Sequence, residues 1–146
     1  MGINDYERQL ASDLFEALHP LLRVIHATRT LSQGKLGILR VLSEHGRTTT
    51  TALAKSVGVS QQGVSLAANE LESAGFVERL KDETDKRKVW LQLTERGSEK
   101  LSAESNMGRL VLERMITTSL TEDDRVIAEA AIPVLRKISQ ERSDDH

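Results

Sequence analysis

Residues 50–87, TTALAKSVGVSQQGVSLAANELESAGFVERLKDETDKR, contain the pattern that decides the fold of this chain. The first half has the apolar spacing of two short amphipathic helices, with Gly58 between them. Glycine adopts the positive φ angle of a tight turn without a steric penalty. The small side chain of Ala54 lets two helices cross closely, and Val59 and Val64 would fill the space between them. The pattern predicts a helix-turn-helix, which holds its second helix where it can enter the major groove of DNA.

A β-hairpin is predicted directly after this unit. Residues 77–81 form an extended segment, and the charged turn DETDK at 82–86 follows it. Val89, Leu91 and Leu93 then alternate with polar residues and Trp90, which is typical of a strand. We expect Trp90 to pack beneath the hairpin, or alternatively to line a ligand pocket. Two strands joined by a charged tip form the wing of a winged helix-turn-helix.

Longer amphipathic helices are predicted on both sides of this core. Residues 5–29 have aliphatic side chains at three- and four-residue spacing, and Pro20 is expected to kink or break that helix. A second helix is predicted over 32–45, and a long one over about 96–117. Thr121 begins the last helix, since a threonine followed by three acids is a strong start signal.

The predicted fold class is therefore mainly α with a small β-hairpin wing (α+β). We interpret residues 1–146 as a single domain, in which 31–95 form the winged lobe. Segments 5–29 and 96–142 carry aliphatic stripes that a small winged core cannot obviously cover. We expect them to pack against a second copy and form a homodimer, although packing within one chain is the simpler alternative.

Composition limits the function classes. The 146 residues are 38% hydrophobic and 29% charged, with no cysteine, which excludes disulfides and thiolate metal sites. There is no signal-peptide pattern and no apolar run long enough for a membrane helix, so we expect a cytoplasmic protein with no membrane partner. The net charge is −2, but residues 31–100 hold 11 Lys and Arg against 9 Asp and Glu. The acidic excess thus lies outside the predicted DNA-binding region.

The chain resembles the MarR (multiple antibiotic resistance regulator) family of bacterial transcription regulators. The resemblance covers essentially the whole chain, and its most specific motifs are Leu71-Glu72-x-x-Gly75-Phe76-Val77, Asp85-x-Arg87 and Leu93-Thr94-x-x-Gly97. It implies an obligate dimer with interlocked terminal helices, which occupies pseudo-palindromic promoter sites. It also implies release from DNA by a small-molecule effector, as in many relatives.

The predicted recognition helix supplies the first set of candidate DNA-binding residues. Glutamine and asparagine can pair bidentately with adenine, and serine can reach bases or phosphates. The helix has no arginine or lysine between residues 60 and 74, so an A·T-rich site is favoured. The alternative is that these are ordinary polar residues of a solvated helix. The candidates are Ser60, Gln61, Gln62, Ser65 and Asn69.

The wing supplies the second set. The resemblance implies that Arg87 enters the minor groove, where narrow A·T tracts concentrate negative potential, and that Asp85 holds its guanidinium. Lys86 and Lys88 are candidates for phosphate contacts, as is Thr50 at the start of a helix. Their alternative role is as solvated charges or a helix cap.

Effector and metal sites are less clearly encoded. An arginine facing an apolar cleft would suit a carboxylate ligand, and a pocket is expected between the dimer helices and the winged lobe. Its candidates could instead form surface salt bridges or pack at the dimer interface. Four histidines show no converging ligand set, so neither a metal nor a cofactor is predicted. The effector candidates are His19, Arg23, His26 and Arg29.

The sequence thus predicts a dimeric DNA-binding transcriptional regulator, most simply a repressor. The alternative is a winged-helix module for protein–protein contacts without a DNA role. An enzyme is not expected, because the chain has no nucleophile triad, phosphate loop, HExxH motif or dinucleotide-binding turn.

Overall fold

The computed structural model describes residues 2–140. Met1 and residues 141–146 lie outside the described part, and with them the last two residues of the predicted helical segment 96–142. The chain divides into two compact units, one ending at Gly108 and the other beginning at Arg109. The first unit contains the predicted winged lobe.

Within the described residues the chain forms six helices and three short strands, and this mainly helical winged architecture confirms the predicted fold class. In chain order they are α1 (Asp5–His26), α2 (Gln33–His45), β1 (Thr48–Thr49), α3 (Thr50–Val57), α4 (Gln61–Ser73), β2 (Val77–Lys81), β3 (Val89–Leu93), α5 (Glu95–Ser119) and α6 (Glu122–Gln140).

Two predictions need correction. The helix predicted over 5–29 ends at His26. Residues 27–29 instead form turn hydrogen bonds, such as that from the Arg29 N–H to the His26 carbonyl. Pro20 lies inside α1 and does not break it. A proline removes one backbone donor, and the hydrogen bonds of the other residues keep the helix continuous.

The sheet has one strand more than the predicted hairpin. Its order is β1-β3-β2, with both pairs antiparallel. In the hairpin Val77 lies opposite Leu93 and Lys81 opposite Val89, as expected from the predicted strands. The additional strand β1 has only two residues, Thr48 and Thr49, and is too short to show a period in the sequence.

The hydrophobic core lies where α2, α3 and α4 meet the sheet. Its fully buried members come from each of these elements, so the core fixes the helix-turn-helix against the wing. They are Ile38, Leu39, Leu42, Leu53, Val64, Ala68, Leu71, Val77 and Leu91.

The Leu-Thr-x-x-Gly motif joins the sheet to α5. The Thr94 hydroxyl donates to the Gly75 carbonyl at 2.6 Å and accepts from the Gly97 N–H at 3.0 Å. A Cβ on Gly97 would lie 2.0 Å from the Phe76 carbonyl oxygen. The motif therefore requires a capping hydroxyl and a residue without a side chain, because α5 starts in direct contact with the backbone before β2.

Candidate nucleic-acid interface

The turn between α3 and α4 has the geometry that the sequence predicts. Gly58 adopts the left-handed conformation with φ 70°, and its N–H donates to the Ala54 carbonyl. Ser60 is the N-cap of α4, and its hydroxyl accepts from the Gly63 N–H at 3.0 Å. The two helices are thus fixed by a glycine turn and a cap, and α4 is held as a recognition helix is in this motif.

The buried and exposed faces of α4 are clearly separated. Val64, Ala68 and Leu71 are buried in the core. The predicted DNA-contacting residues are exposed: Ser60, Gln61, Gln62, Ser65 and Asn69.

Two of these residues have partners within the lobe. The Gln61 amide donates to the Thr51 hydroxyl at 2.9 Å, which joins α4 to α3. The Asn69 carbonyl oxygen accepts from the Arg79 guanidinium of β2. Within residues 2–140 the side chains of Gln62 and Ser65 form no hydrogen bond, so they are available to a ligand.

Ion pairs also hold α4 in place. Glu70 pairs with Lys35 of α2, and Glu72 lies 3.6 Å from Arg79 of β2. These contacts use two acids of a helix that has no basic residue of its own. These ion pairs connect elements distant in the chain, so no local pattern in the sequence predicts them.

Asp82 organises the base of the wing tip. Its carboxylate accepts from the Trp90 indole N–H at 2.9 Å, from the Asp85 N–H at 2.9 Å and from both the N–H and the hydroxyl of Thr84. Arg47 lies over the Trp90 ring, 5.0 Å from its centroid. The hydrogen bonds, that from Trp90 foremost, lower the pKa of Asp82 well below its ordinary value. Trp90 is thus half-buried between Asp82 and Arg47.

Arg87 lies at the wing tip with its side chain 91% exposed. The Asp85 carboxylate accepts from the Arg87 backbone N–H at 3.0 Å and from its Nε at 3.2 Å. These two bonds lower the pKa of Asp85 and restrain the base of the arginine, while the end of the guanidinium faces solvent. Lys86 and Lys88 are also exposed beside it, and Thr50 is half-buried in the first turn of α3.

The four effector candidates fall into two pairs. His19 and Arg23 are exposed on α1, and the His19 ring lies against Phe15 with centroids 5.6 Å apart. His26 and Arg29 are half-buried at the end of α1. Burial, followed by the charges of Arg29 and Arg40, lowers the pKa of His26, which favours the neutral imidazole.

Glu104 of α5 is the buried acidic residue of this region. It is 7% exposed and accepts from the Thr30 N–H and from Lys100, whose Nζ lies 3.1 Å away. Burial raises the pKa of Glu104, but the hydrogen bonds from Thr30 and Lys100 outweigh it, so the pKa is lowered overall. The carboxylate therefore stays charged near Arg29, whose own pKa is lowered by burial and by Arg40.

A helix-turn-helix whose second helix exposes a polar face, followed by a hairpin with an arginine at its tip, defines a winged helix-turn-helix protein. The family model of the MarR family matches residues 21–89, which run from α1 to the start of β3. This match confirms the predicted resemblance to the MarR family of transcription regulators.

Two curated relatives agree with this assignment. The uncharacterised HTH-type transcriptional regulator YwhA of Bacillus subtilis is 32% identical over 54% of this chain and 63% of its own length, which is slightly under two thirds. The HTH-type transcriptional repressor MdtR of the same organism is 27% identical over 94% of this chain and 90% of its own.

Solved structures show the same fold. A putative transcriptional regulator from Pseudomonas aeruginosa PA01 superposes with a TM-score of 0.81 at 22% identity, covering 94% of this chain and 98% of that one. Bordetella bronchiseptica BpsR, whose DNA binding is regulated by 6-hydroxynicotinic acid, gives 0.62 at 21% identity, with 90% and 98% covered. Between residues 2 and 140, no helix has the length and apolarity to cross a membrane.

Proposed function

We propose that this chain is a dimeric regulator that represses transcription by occupying a pseudo-palindromic promoter site. The observation that carries the proposal is the exposed polar face of α4, next to a wing whose tip presents Arg87. The two parts are joined by the contact of Arg79 with Asn69. A recognition helix and a wing fixed to each other can engage adjacent grooves of one duplex.

In this proposal α4 lies in the major groove. Gln62 and Ser65 read base edges, because their side chains are exposed and form no hydrogen bond within the described chain. Gln61 and Asn69 act at the edges of the contact, since Thr51 and Arg79 already use part of their hydrogen-bonding capacity. Ser60 lies at the helix start, where backbone N–H groups favour a phosphate.

The wing supplies the second contact. Arg87 enters the minor groove with its guanidinium oriented by Asp85. Lys86, Lys88 and Thr50 contact the phosphate backbone, which adds affinity without sequence information. Because Asp82 holds the turn that precedes Arg87, the wing is ordered before it meets DNA.

The dimer is proposed from the apolar surface of the terminal helices. α1 exposes Leu10, Phe15 and Leu22, and α6 exposes the apolar residues Val126, Ile127, Val134 and Ile138. Burial of apolar surface contributes roughly 25 cal/mol per Å² of free energy, and these side chains do not gain it while they face water. Packing against a second copy would bury them. MdtR, a relative over nearly the whole chain, is a repressor, which supports the same regulatory sign here.

A small anionic effector is the finer part of the proposal. Arg29 and Arg40 place positive charge near the end of α1, beside His26 and with Glu104 as the nearby acid. His19 and Arg23 extend this surface along the same helix. BpsR responds to a pyridine carboxylate, 6-hydroxynicotinic acid, which is the class of ligand that such a cationic surface would bind.

We place this regulator in the cytoplasm, with the DNA it would bind.

The test is selection of bound fragments from genomic and random DNA by the purified protein. We expect a two-fold symmetric, A·T-containing consensus, with half-site centres about 10 bp or a multiple of that apart. Recovery of no enriched duplex would contradict the proposal, and would favour a winged-helix module that binds another protein.

A further inference from the structure

One apolar residue on the outer face of α4 does not belong to the hydrophobic core. Leu66 is 59% exposed. Between residues 31 and 95, all of which the structure describes, it is the only large hydrophobic residue exposed to this degree. The other strongly exposed apolar side chains lie at or near the terminal helices α1, α5 and α6.

Leu66 lies at the outermost point of the helix. At about 100° per residue, it points almost directly away from the buried stripe formed by Val64, Ala68 and Leu71. Gln62 is four residues before it and Asn69 three residues after it, so both are its neighbours on the helix surface. A helix that enters a groove with Gln62 therefore brings Leu66 in with it.

The surroundings of Leu66 indicate what it contacts. The terminal helices expose several apolar residues at helical spacing, which is the pattern of a protein interface. Leu66 is instead a single apolar group among polar side chains: Gln62, Ser65, Asn69 and Glu70. The floor of the major groove presents the same mixture, because its hydrogen-bonding base edges include one apolar group, the C5-methyl of thymine.

We propose that Leu66 reads a thymine methyl group in the major groove, next to the base contacted by Gln62. The inference rests on the proposed function and adds a specificity-determining residue to it. Leu66 excludes water from the methyl group and disfavours cytosine at that position, whose exocyclic amine would lose hydration against the apolar side chain. Adenine contacts from Gln62 and a thymine contact from Leu66 together favour an A·T-rich half-site.

The experiment uses deoxyuridine, which pairs with adenine as thymine does but lacks the methyl group. Affinities of the wild type and of Leu66→Ala are measured at fixed salt, for the selected duplex with thymine and with deoxyuridine at each half-site position. We expect the wild type to lose about fourfold per contacted methyl group, once in each half-site. Leu66→Ala should bind the thymine duplex as weakly as the wild type binds the uridine duplex, with no further loss on uridine.

Leu66→Met is the matched variant, because it keeps an apolar side chain of similar volume. It should retain most of the affinity and the sensitivity to the methyl group. Since Leu66 is exposed, all three proteins should unfold at the same temperature and bind unselected DNA equally.

The outcomes separate this inference from the proposed function. Strong wild-type binding that ignores deoxyuridine, or an undiminished methyl effect in Leu66→Ala, would overturn the role of Leu66 and leave DNA binding intact. A change in dimer stability in Leu66→Ala would assign the residue to a protein interface instead. Failure of the wild type to bind any selected duplex would overturn both proposals.

Discussion

At the scale of single residues, Arg87 combines exposure with restraint. Its side chain is 91% exposed, while its backbone N–H and its Nε both donate to Asp85. An exposed ion pair of this kind adds little to stability, so its contribution to the proposed complex is to orient the guanidinium before binding. Substitution of Arg87 should therefore affect the DNA affinity and leave the stability of the fold unchanged.

Arg87→Ala is expected to weaken binding to the selected duplex by about tenfold or more, because a narrow minor groove is the strongest site for a cation. The slope of log affinity against log salt should fall by about one. Fluorescence anisotropy across a salt series measures both quantities.

The control is Arg8→Ala, which removes the same charge from an exposed ion pair on α1. It should change the affinity by less than about twofold. Equal losses for Arg8→Ala and Arg87→Ala would mean that only net charge matters, and would contradict a specific wing contact.

Asp82→Ala is expected to loosen the wing. Trp90 loses its indole acceptor, and the turn before Arg87 loses three further bonds. Since Trp90 is the only tryptophan, its emission reports this directly and should shift to longer wavelength, with weaker DNA binding. Asp124→Ala, which removes a comparable acid from the cap of α6, should leave the emission unchanged. An unshifted spectrum in Asp82→Ala would contradict the role of Asp82.

The same contact has a pH signature. The folded pKa of Asp82 lies below the ordinary value of 3.8, so its stabilising contribution is complete above that pH and is lost as the pH falls through the folded pKa. Trp90 emission should therefore stay constant as the pH falls from about 5 to about 3. A transition centred near the ordinary value of 3.8 would contradict the lowered pKa.

At the scale of elements, α4 separates a buried face that fixes its position from an exposed outer face, which reads bases in the proposed complex. Gln62→Ala should change which sequences are selected, with a loss of about 1–3 kcal/mol on the preferred site and little change on unselected DNA. Gln9→Ala makes the same side-chain change on α1 and should do neither. A uniform loss on all sequences would reassign Gln62 to phosphate contact.

The start of α5 is the most crowded backbone junction. A Cβ at Gly97 meets the Phe76 carbonyl oxygen and Leu93, so Gly97→Ala should destabilise the fold by about 1–3 kcal/mol. Gly34→Ala is the matched control, because its Cβ would lie 3.9 Å from a methyl group of Val59, an ordinary van der Waals distance. In urea unfolding, Gly34→Ala should leave the free energy of unfolding unchanged or raise it by up to about 1 kcal/mol. Equal stability of the two variants would contradict the close approach.

Elements with a clear local signal could be predicted from the sequence. Gly58, Ser60 and the alternation of β3 each carry their structural requirement in the residue itself, and their predictions are confirmed. Contacts between distant segments left no such signal. The strand β1, the bond from Trp90 to Asp82 and the pairing of Lys35 with Glu70 depend on tertiary packing. The exposure of Leu66 could have been read from its position opposite the buried stripe of α4.

At the scale of the whole molecule, the proposed regulator consists of two copies of the chain. The described winged lobe has its own core, whereas the exposed apolar side chains concentrate on the terminal helices. In the proposed complex, one α4 and one wing contact a single half-site, and the combined affinity of two half-sites provides specific binding at a promoter.

The most direct test of this account is native mass spectrometry of the protein with a selected duplex that carries two half-sites. We predict a complex of two chains and one duplex, formed from a protein that is already dimeric without DNA. A monomer in the free state that forms no complex with any selected duplex would contradict the account.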